Sequence, residues 1–362
     1  MTEQAPAKTT LARAARVDAV SAYIPPPVGP HIKLRLDANE GPAPDDALMQ
    51  ALRRVDAETL RRYPRPADLE ACIADHWQVP AGRVVVTSGG DDAIDRVAHA
   101  TLEPGRTLLT HAPTFPMIPR AAKLAGGDVE AVEWLDGPFP AGDFASSISE
   151  QTGLVAVVSP NNPTGGAVEP EALLDLADRA AAAGIAFMAD LAYVEFADED
   201  PTPALLERPN TVVIRTFSKA LGLAGLRVGY AIASEEIAGW LRAVGTPYPV
   251  AGPSLAIAGA ALERGDPREA GSVQRVREER GRLSELLNRL GLAPLPAQAN
   301  FVTARTPDAE SWASDLAAEG IAVRPQRDAA GSVNLLRITL PGDAAAYDFL
   351  SKTLRRVHDR RS

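Results

Sequence analysis

Along the chain, short apolar runs rich in β-branched residues alternate with Ala-rich stretches of helical period. Val84, Val85 and Val86 centre a run at 83–87 that reads as a buried strand, and 91–101 reads as the helix after it. The unit recurs: a strand at 107–110 precedes a helix around 116–125, and a strand at 153–159 precedes a helix over 169–183. Two further strands are expected at 185–189 and 211–216. Uninterrupted apolar strands separated by helices predict a mostly parallel sheet covered on both faces. Ahead of this rhythm, apolar and basic residues alternate over 32–36, predicting a short half-exposed strand. Residues 45–54 predict a helix with an acidic first turn and a basic last one. Beyond Pro253 the rhythm changes. A long helix over 272–290 carries Leu283, Leu286, Leu287 and Leu290 on one side. A strand at 300–304, a helix at 308–319 and strands near 321–324 and 334–339 follow it. The expectation is an α/β protein with a mostly parallel central sheet, helices on both faces and a smaller α+β domain. Its expected parts are an N-terminal arm (1–30), a large domain (46–250) and a small domain from 31–45 and 251–362.

Composition narrows the function classes. At 362 residues the chain is too long for one small core, which agrees with two domains. A formal net charge of -10 repels phosphate backbones, so no nucleic acid is expected as partner. The pairs Arg53-Arg54 and Arg61-Arg62 are too short to reverse this and read as solvated helix faces. The single cysteine, Cys72, permits neither an intramolecular disulfide nor a cysteine metal cluster; this fits a reducing cytoplasm, and no metal site is expected. No stretch approaches the roughly 20 apolar residues of a membrane span, and residues 1–10 lack the apolar core of a secretion signal, reading as a flexible start. The proline-rich stretch 23–30 is expected to run extended, as an arm or surface connection.

In a parallel sheet, ligands collect beyond the carboxyl ends of the strands. Four segments stand there. Ser88-Gly89-Gly90-Asp91-Asp92 opens a helix, where two glycines admit a ligand close to the backbone and unpaired N–H groups suit an anion. A plain strand-to-helix turn would use Gly-Gly equally well. Ser159-Pro160-Asn161-Asn162-Pro163-Thr164-Gly165 makes a stiff loop projecting an amide, able to donate to a phenolate-like oxygen without adding charge. Asp190, with Tyr193 after it, ends an apolar strand, where a carboxylate needs a cation, several donors or a helix to cap. Finally, Thr216, Ser218 and Lys219 lead through small residues to Arg227: two hydroxyls and a guanidinium suited to a phosphate, around an amine suited to Schiff-base chemistry.

In order, Asn162-Pro163-Thr164-Gly165, Asp190, Tyr193, Ser218-Lys219 and Arg227 resemble the signature of the fold-type I pyridoxal phosphate enzymes, the class I and II aminotransferases. Within that family the chain is most similar to histidinol-phosphate aminotransferases. The likeness rests on Tyr23-Ile24-Pro25, Leu36-Asp37-Ala38-Asn39-Glu40, Arg62-Tyr63-Pro64, Ala299-Asn300-Phe301-Val302, Gly320-Ile321-Ala322-Val323-Arg324 and Leu336-Arg337-Ile338-Thr339. It runs from about Tyr23 to the last strand.

The resemblance implies the fold of the pyridoxal phosphate-dependent transferases and pyridoxal 5′-phosphate as cofactor. By the same resemblance Lys219 carries the cofactor as a Schiff base and shuttles a proton, Asp190 keeps the ring nitrogen protonated, and Asn162 and Tyr193 bind the phenolic oxygen. Phe115 would stack on the ring, and Gly89, Gly90, Asp91, Thr216, Ser218 and Arg227 would hold the cofactor phosphate. Tyr63 would reach that phosphate from a neighbouring subunit, implying a homodimer with shared sites. Arg337 would clamp the substrate carboxylate; Tyr23, Arg324 and Asn39 would also serve the substrate. Four features depart from the family pattern: Leu191 where Glu is usual, Phe115 where Tyr is frequent, Gly41 in place of the usual Asn, and the loop Ser88-Gly89-Gly90-Asp91-Asp92, which matches the phosphate loop imperfectly. The activity implied is transfer of an amino group between an L-amino donor and 2-oxoglutarate, with histidinol phosphate the favoured donor. An aromatic or specialised amino-acid transaminase, a decarboxylase of a phosphorylated amino acid and a cofactor-binding regulatory module are the alternatives.

Overall fold

The computed structural model describes residues 12–24, 29–328 and 331–361. Residues 1–10 and 25–28, read above as a flexible start and part of an extended arm, lie outside the described residues. Strand β1 (Leu34–Arg35) comes first. A run of strands follows: β2 (Val84–Thr87), β3 (Thr107–Ala112), β4 (Asp128–Glu133), β5 (Thr152–Val158), β6 (Ala186–Asp190), β7 (Thr211–Thr216) and β8 (Gly229–Ile232). The last part of the chain supplies β9 (Ala293–Pro294), β10 (Phe301–Arg305), β11 (Ile321–Ala322), β12 (Arg324–Arg327) and β13 (Val333–Thr339).

The second to eighth strands form one sheet in the order β2-β8-β7-β6-β5-β3-β4. Neighbours run parallel from β7 through β6, β5 and β3 to β4, while β8 alone is reversed, antiparallel to both β2 and β7. This is the expected mostly parallel α/β sheet. Every residue of β5 and β7 is buried, because helices cover both faces and leave no side of those strands to water. Phe187, Val155 and Val213 pack into one apolar cluster, and Met188, Leu154 and Ile214 pack into another on the opposite face. The side-chain period of two, acting on continuous apolar runs, produces that division.

A second sheet, β12-β13-β10-β9, is antiparallel throughout, and β1 pairs in parallel with β11. Helix Gly271–Arg289 buries Val276, Leu283, Leu286 and Leu287 with Phe301, Ile338 and Leu354 in a third cluster, which also takes in Tyr193 and Ala220. Helix Gly252–Leu262 instead packs Ile257, Ala258 and Ala261 into the cluster of Phe187 and Val213. Elements with no reading from sequence include helices Ala67–Trp77, Glu235–Val244 and Gly252–Leu262, strands β4 and β8, and the terminal helix Ala344–Arg361. Among the described residues no helix is long and apolar enough to cross a membrane.

Candidate active site

The carboxyl ends of β5, β6 and β7 meet. Register places Val158 opposite Asp190 and Asp190 opposite Ile214, and Ser159 N–H donates to the Asp190 carbonyl at 3.0 Å. Asp190 is buried, 4% exposed, and its carboxylate accepts from Ala192 N–H at 3.1 Å. Burial pushes its pKa up to about 7; the Ala192 bond opposes the rise, Asp91 adds to it and Lys219 opposes it. A carboxyl in this state is only partly ionised near neutral pH, and a cation placed against it would complete its ionisation.

Lys219 follows β7, half-buried, with Nζ 3.4 Å from the Ala38 carbonyl and 5.3 Å from the centre of the Tyr193 ring. The hydroxyls of Thr216 and Ser218 lie 3.0 Å apart beside it. Gly89, Gly90 and Asp91 open helix Gly89–Thr101, whose first N–H groups have no acceptor within the helix. Arg227 closes this cradle. It adopts a left-handed backbone with φ 53°, and its Nη2 sits 3.3 Å from Asp91 Oδ2. A Cβ on Gly89 would come within 2.6 Å of that Nη2, so only glycine leaves the guanidinium in place. The Asp91 carboxylate is turned to Arg227, which leaves its backbone N–H as the group suited to an anion.

Phe115 is half-buried against the apolar cluster of Leu108 and Val158. Its loop is held by a residue that sequence reasoning missed. His111 is buried, its Nδ1 3.2 Å from the Pro113 carbonyl and its Nε2 accepting from Val158 N–H at 3.2 Å. Burial pushes its pKa down to about 4, with the Pro113 bond opposing, so the ring is neutral and Nδ1 carries the proton. The only trace in sequence is a histidine at the end of an apolar strand.

Arg337 on β13 and Arg324 on β12 are direct cross-strand partners. Arg337 is buried; Nη1 donates to Asn162 Oδ1 at 2.6 Å, Nη2 to the Asp37 carbonyl at 2.7 Å, and Nε has no partner. Burial pushes its pKa down to about 10; Tyr193 opposes this, Arg324 adds to it, and Tyr23 and Asp37 oppose it. Tyr23, itself exposed, therefore lies within electrostatic reach of Arg337. Asn39 is buried with φ 54°, and its Nδ2 donates to Tyr193 Oη at 3.0 Å.

Two of the departures from the family pattern acquire physical reasons. A Cβ on Gly41 would stand 1.9 Å from the Lys219 carbonyl, so the strap 37–42 can cross the lysine turn only with glycine there. Leu191 is fully buried in the cluster of Val213 and Phe217, an apolar environment that suits it. Tyr63 stands apart. Its ring is exposed, stacked on Tyr248 at 4.6 Å, and the groove of about 600 Å³ that it lines includes none of the residues above.

Arg215 also escaped notice as a support. It points to the face opposite Thr216, where Glu195 lies 2.9 Å from Nη2, Asp200 lies 3.2 Å from Nη1, and the guanidinium sits 4.9 Å from the centre of the Trp77 ring. Burial works against its charge, but Glu195 and Asp200 outweigh that and raise its pKa. The cluster ties the turn after Tyr193 to β7 just before Thr216.

An amine near a buried acid, an anion-suited helix start and two cross-strand arginines are the groups that an enzyme with an anionic cofactor would use. The family model for aminotransferases of class I and II matches residues 31–351, and the chain belongs to that family. It is 32% identical to the histidinol-phosphate aminotransferase of Caldanaerobacter subterraneus subsp. tengcongensis, over 90% of this chain and 93% of that protein. It is also 32% identical to histidinol-phosphate aminotransferase 1 of Archaeoglobus fulgidus, over 90% of this chain and 99% of that protein. The fold is shared with the crystal structure of histidinol-phosphate aminotransferase from Sinorhizobium meliloti in complex with pyridoxal-5'-phosphate, with TM-score 0.86 and 24% identity over 98% of this chain and 100% of that one.

Proposed function

We propose that the chain is a cytoplasmic, pyridoxal phosphate-dependent transaminase that takes the amino group of histidinol phosphate and passes it to 2-oxoglutarate. The residues present fit the cofactor: Asp190 is buried with no ion pair among the described residues, Gly89 keeps room beside the Arg227 guanidinium, and two hydroxyls, a guanidinium and a helix start are the donor set a phosphate needs. Pyridoxal phosphate would supply an aldehyde that condenses with amines and a ring that takes up electrons. Lys219 Nζ anchors the aldehyde and, once released, moves a proton at the substrate carbon that bears nitrogen. Asp190 holds a proton at the ring nitrogen, Tyr193 and Asn162 orient the ring through its phenolic oxygen, and Phe115 covers one face. Thr216, Ser218, Arg227 and the helix start at Gly89, Gly90 and Asp91 bind the phosphate. Tyr63, exposed on its own subunit, completes this set in a homodimer.

The observation that carries the substrate is the pairing of Arg324 with Arg337, under the reach of Tyr23. A phosphorylated amino alcohol has no carboxylate beside its amine, so its phosphate must be the handle, and two guanidiniums suit a dianion. Glutamate needs one guanidinium for its α-carboxylate, and Arg337, bonded to Asn162, is the one nearest the reacting end. Single-turnover absorbance measurements test this with each amine in turn. Arg324→Ala should weaken the reaction with histidinol phosphate by about 10²-fold while changing the glutamate reaction by less than about 3-fold. Arg337→Ala should impair both. Equal losses from Arg324→Ala in the two half-reactions would remove the phosphate handle and leave an aromatic or specialised amino-acid transaminase. Release of CO₂ in place of amino transfer would make the chain a decarboxylase.

A further inference from the structure

The phenol of Tyr193 is tied to a chain of buried hydrogen bonds that ends in the second sheet. Thr339, the last residue of β13, accepts from the Asn39 backbone N–H at 3.1 Å and donates to Asn39 Oδ1 at 3.1 Å. The amide of Asn39 is thereby oriented: its oxygen faces Thr339, and its nitrogen donates to Tyr193 Oη at 3.0 Å. Asn39, Thr339 and Tyr193 are 1%, 2% and 5% exposed, so bulk water cannot exchange for any of these partners. The left-handed backbone of Asn39 is held from a third side by Asn300, which donates to the Asn39 carbonyl at 3.3 Å.

A phenol has one proton to give and lone pairs to receive. An amide nitrogen only donates, so Tyr193 must receive from Asn39 and keep its own proton for another acceptor. We infer that Thr339 and Asn39 are positioning residues that aim the Tyr193 proton at the cofactor's phenolic oxygen. A hydrogen bond received by the phenol oxygen also strengthens the one it gives. Without the Thr339 hydroxyl the amide is free to turn over and present its oxygen to the phenol, which would draw the proton away. The strap 37–42 and β13 thus set a property of the cofactor through Tyr193.

The inference rests on the reading that Tyr193 contacts the phenolic oxygen, and the test separates the two. The measurement is the pH midpoint of the bound cofactor's absorbance change, in protein loaded with pyridoxal phosphate and no substrate. A proton given to the phenolic oxygen favours its ionised form, so Tyr193→Phe should raise the midpoint. Thr339→Val and Asn39→Asp should each raise it by about half a pH unit or more, the scale of one hydrogen bond. Thr339→Ser, which keeps the hydroxyl, should restore the original midpoint. In the Tyr193→Phe background Thr339→Val should add nothing, an outcome that general loosening of the fold would not produce. If Thr339→Val does not load cofactor, Asn39→Asp with the same Tyr193→Phe cycle carries the test. A midpoint unmoved by Tyr193→Phe overturns the placement of Tyr193 and the relay with it. A midpoint moved by Tyr193→Phe but by neither Thr339→Val nor Asn39→Asp overturns the relay alone.

Discussion

The cofactor side of the site takes its side chains from the ends of parallel strands, whereas the substrate side takes them from two antiparallel strands and the strap that precedes the first helix. On the cofactor side the key groups are loosely engaged: Asp190 makes no ion pair among the described residues, Lys219 Nζ reaches the Ala38 carbonyl at 3.4 Å, and the hydroxyls of Thr216 and Ser218 lie 3.0 Å apart. On the substrate side the charge is already engaged, with Arg337 bonded to Asn162 and to the Asp37 carbonyl. The two sides are joined by those bonds and by Asn39 on Tyr193. The difference teaches that each side is positioned by the other. Parallel strands deliver groups along one edge, and the strap that follows β1, with β13 behind it, decides how those groups are aimed.

The comparison can be broken most completely at Lys219. Lys219→Ala removes the anchoring amine and should lower turnover by at least about 10³-fold, while cofactor remains held noncovalently by the cradle. Borohydride reduction followed by peptide mapping should place the pyridoxyl group on Lys219 in the parent protein and nowhere in the variant. Label on another lysine would show that the cofactor side has been misplaced.

A smaller effect is expected where strap and lysine turn touch. Gly41→Ala forces a Cβ against the Lys219 carbonyl, where the neighbour is backbone and cannot move aside cheaply. Overpacking of this kind destabilises by about 1–3 kcal/mol, so denaturant melts should show a loss in that range. Gly239→Ala, on helix Glu235–Val244 with open space around the added atom, should instead be neutral or stabilising. Equal behaviour of the two variants would mean that the strap is not held against the turn.

A further effect is a pH dependence of Asp190 confined to the cofactor-free protein. Asp190 holds its proton more tightly folded, with a pKa of about 7, than its ordinary 3.8. Its contribution to stability is therefore fully present below about pH 3.8 and is lost as the pH rises through 7. Glu279, pushed up to about 7 by burial, runs the same way, while His111, pushed down to about 4, loses stability as the pH falls from 6.5. Comparing Tm against pH for the parent and Asp190→Asn isolates the one term: the difference should widen from pH 4 to 7 without cofactor, and that widening should disappear in the loaded protein. A constant difference would show that Asp190 needs no cation.

The cofactor side was legible because its residues sit in short motifs directly after apolar runs, and local pattern records both. Strand β7 was read with its observed bounds, and Asp190, Thr216, Ser218 and Lys219 follow from where such strands must end. The reversed strand β8 was not legible: Gly229–Ile232 is four residues long and directly follows a Gly-rich turn. Strand β4 hid because its edge position leaves Asp128, Glu130 and Glu133 exposed, erasing the apolar signal. The contacts of Asn39 with Tyr193 and of Arg337 with Asn162 span 154 and 175 residues, and no periodicity encodes partners at that distance. Arg215 reads as an ordinary strand-end cation until the fold brings Glu195 and Asp200 to it.

The cradle at Gly89 has a consequence for the order of folding. Asp91 and Arg227 are 136 residues apart, and the reversed strand β8 that follows Arg227 enters the sheet between β2 and β7, which already border the cradle. Closing so long a loop is slow compared with forming the local helix–strand units, because its entropy is lost before its contacts are gained. The helix start and the hydroxyls at the end of β7 can form early, but Arg227 joins the cradle only when β8 is in place. Cofactor capture should therefore be completed late in chain assembly: pyridoxal phosphate supplied during refolding should trap the finished sheet and leave the rate of its closure unchanged.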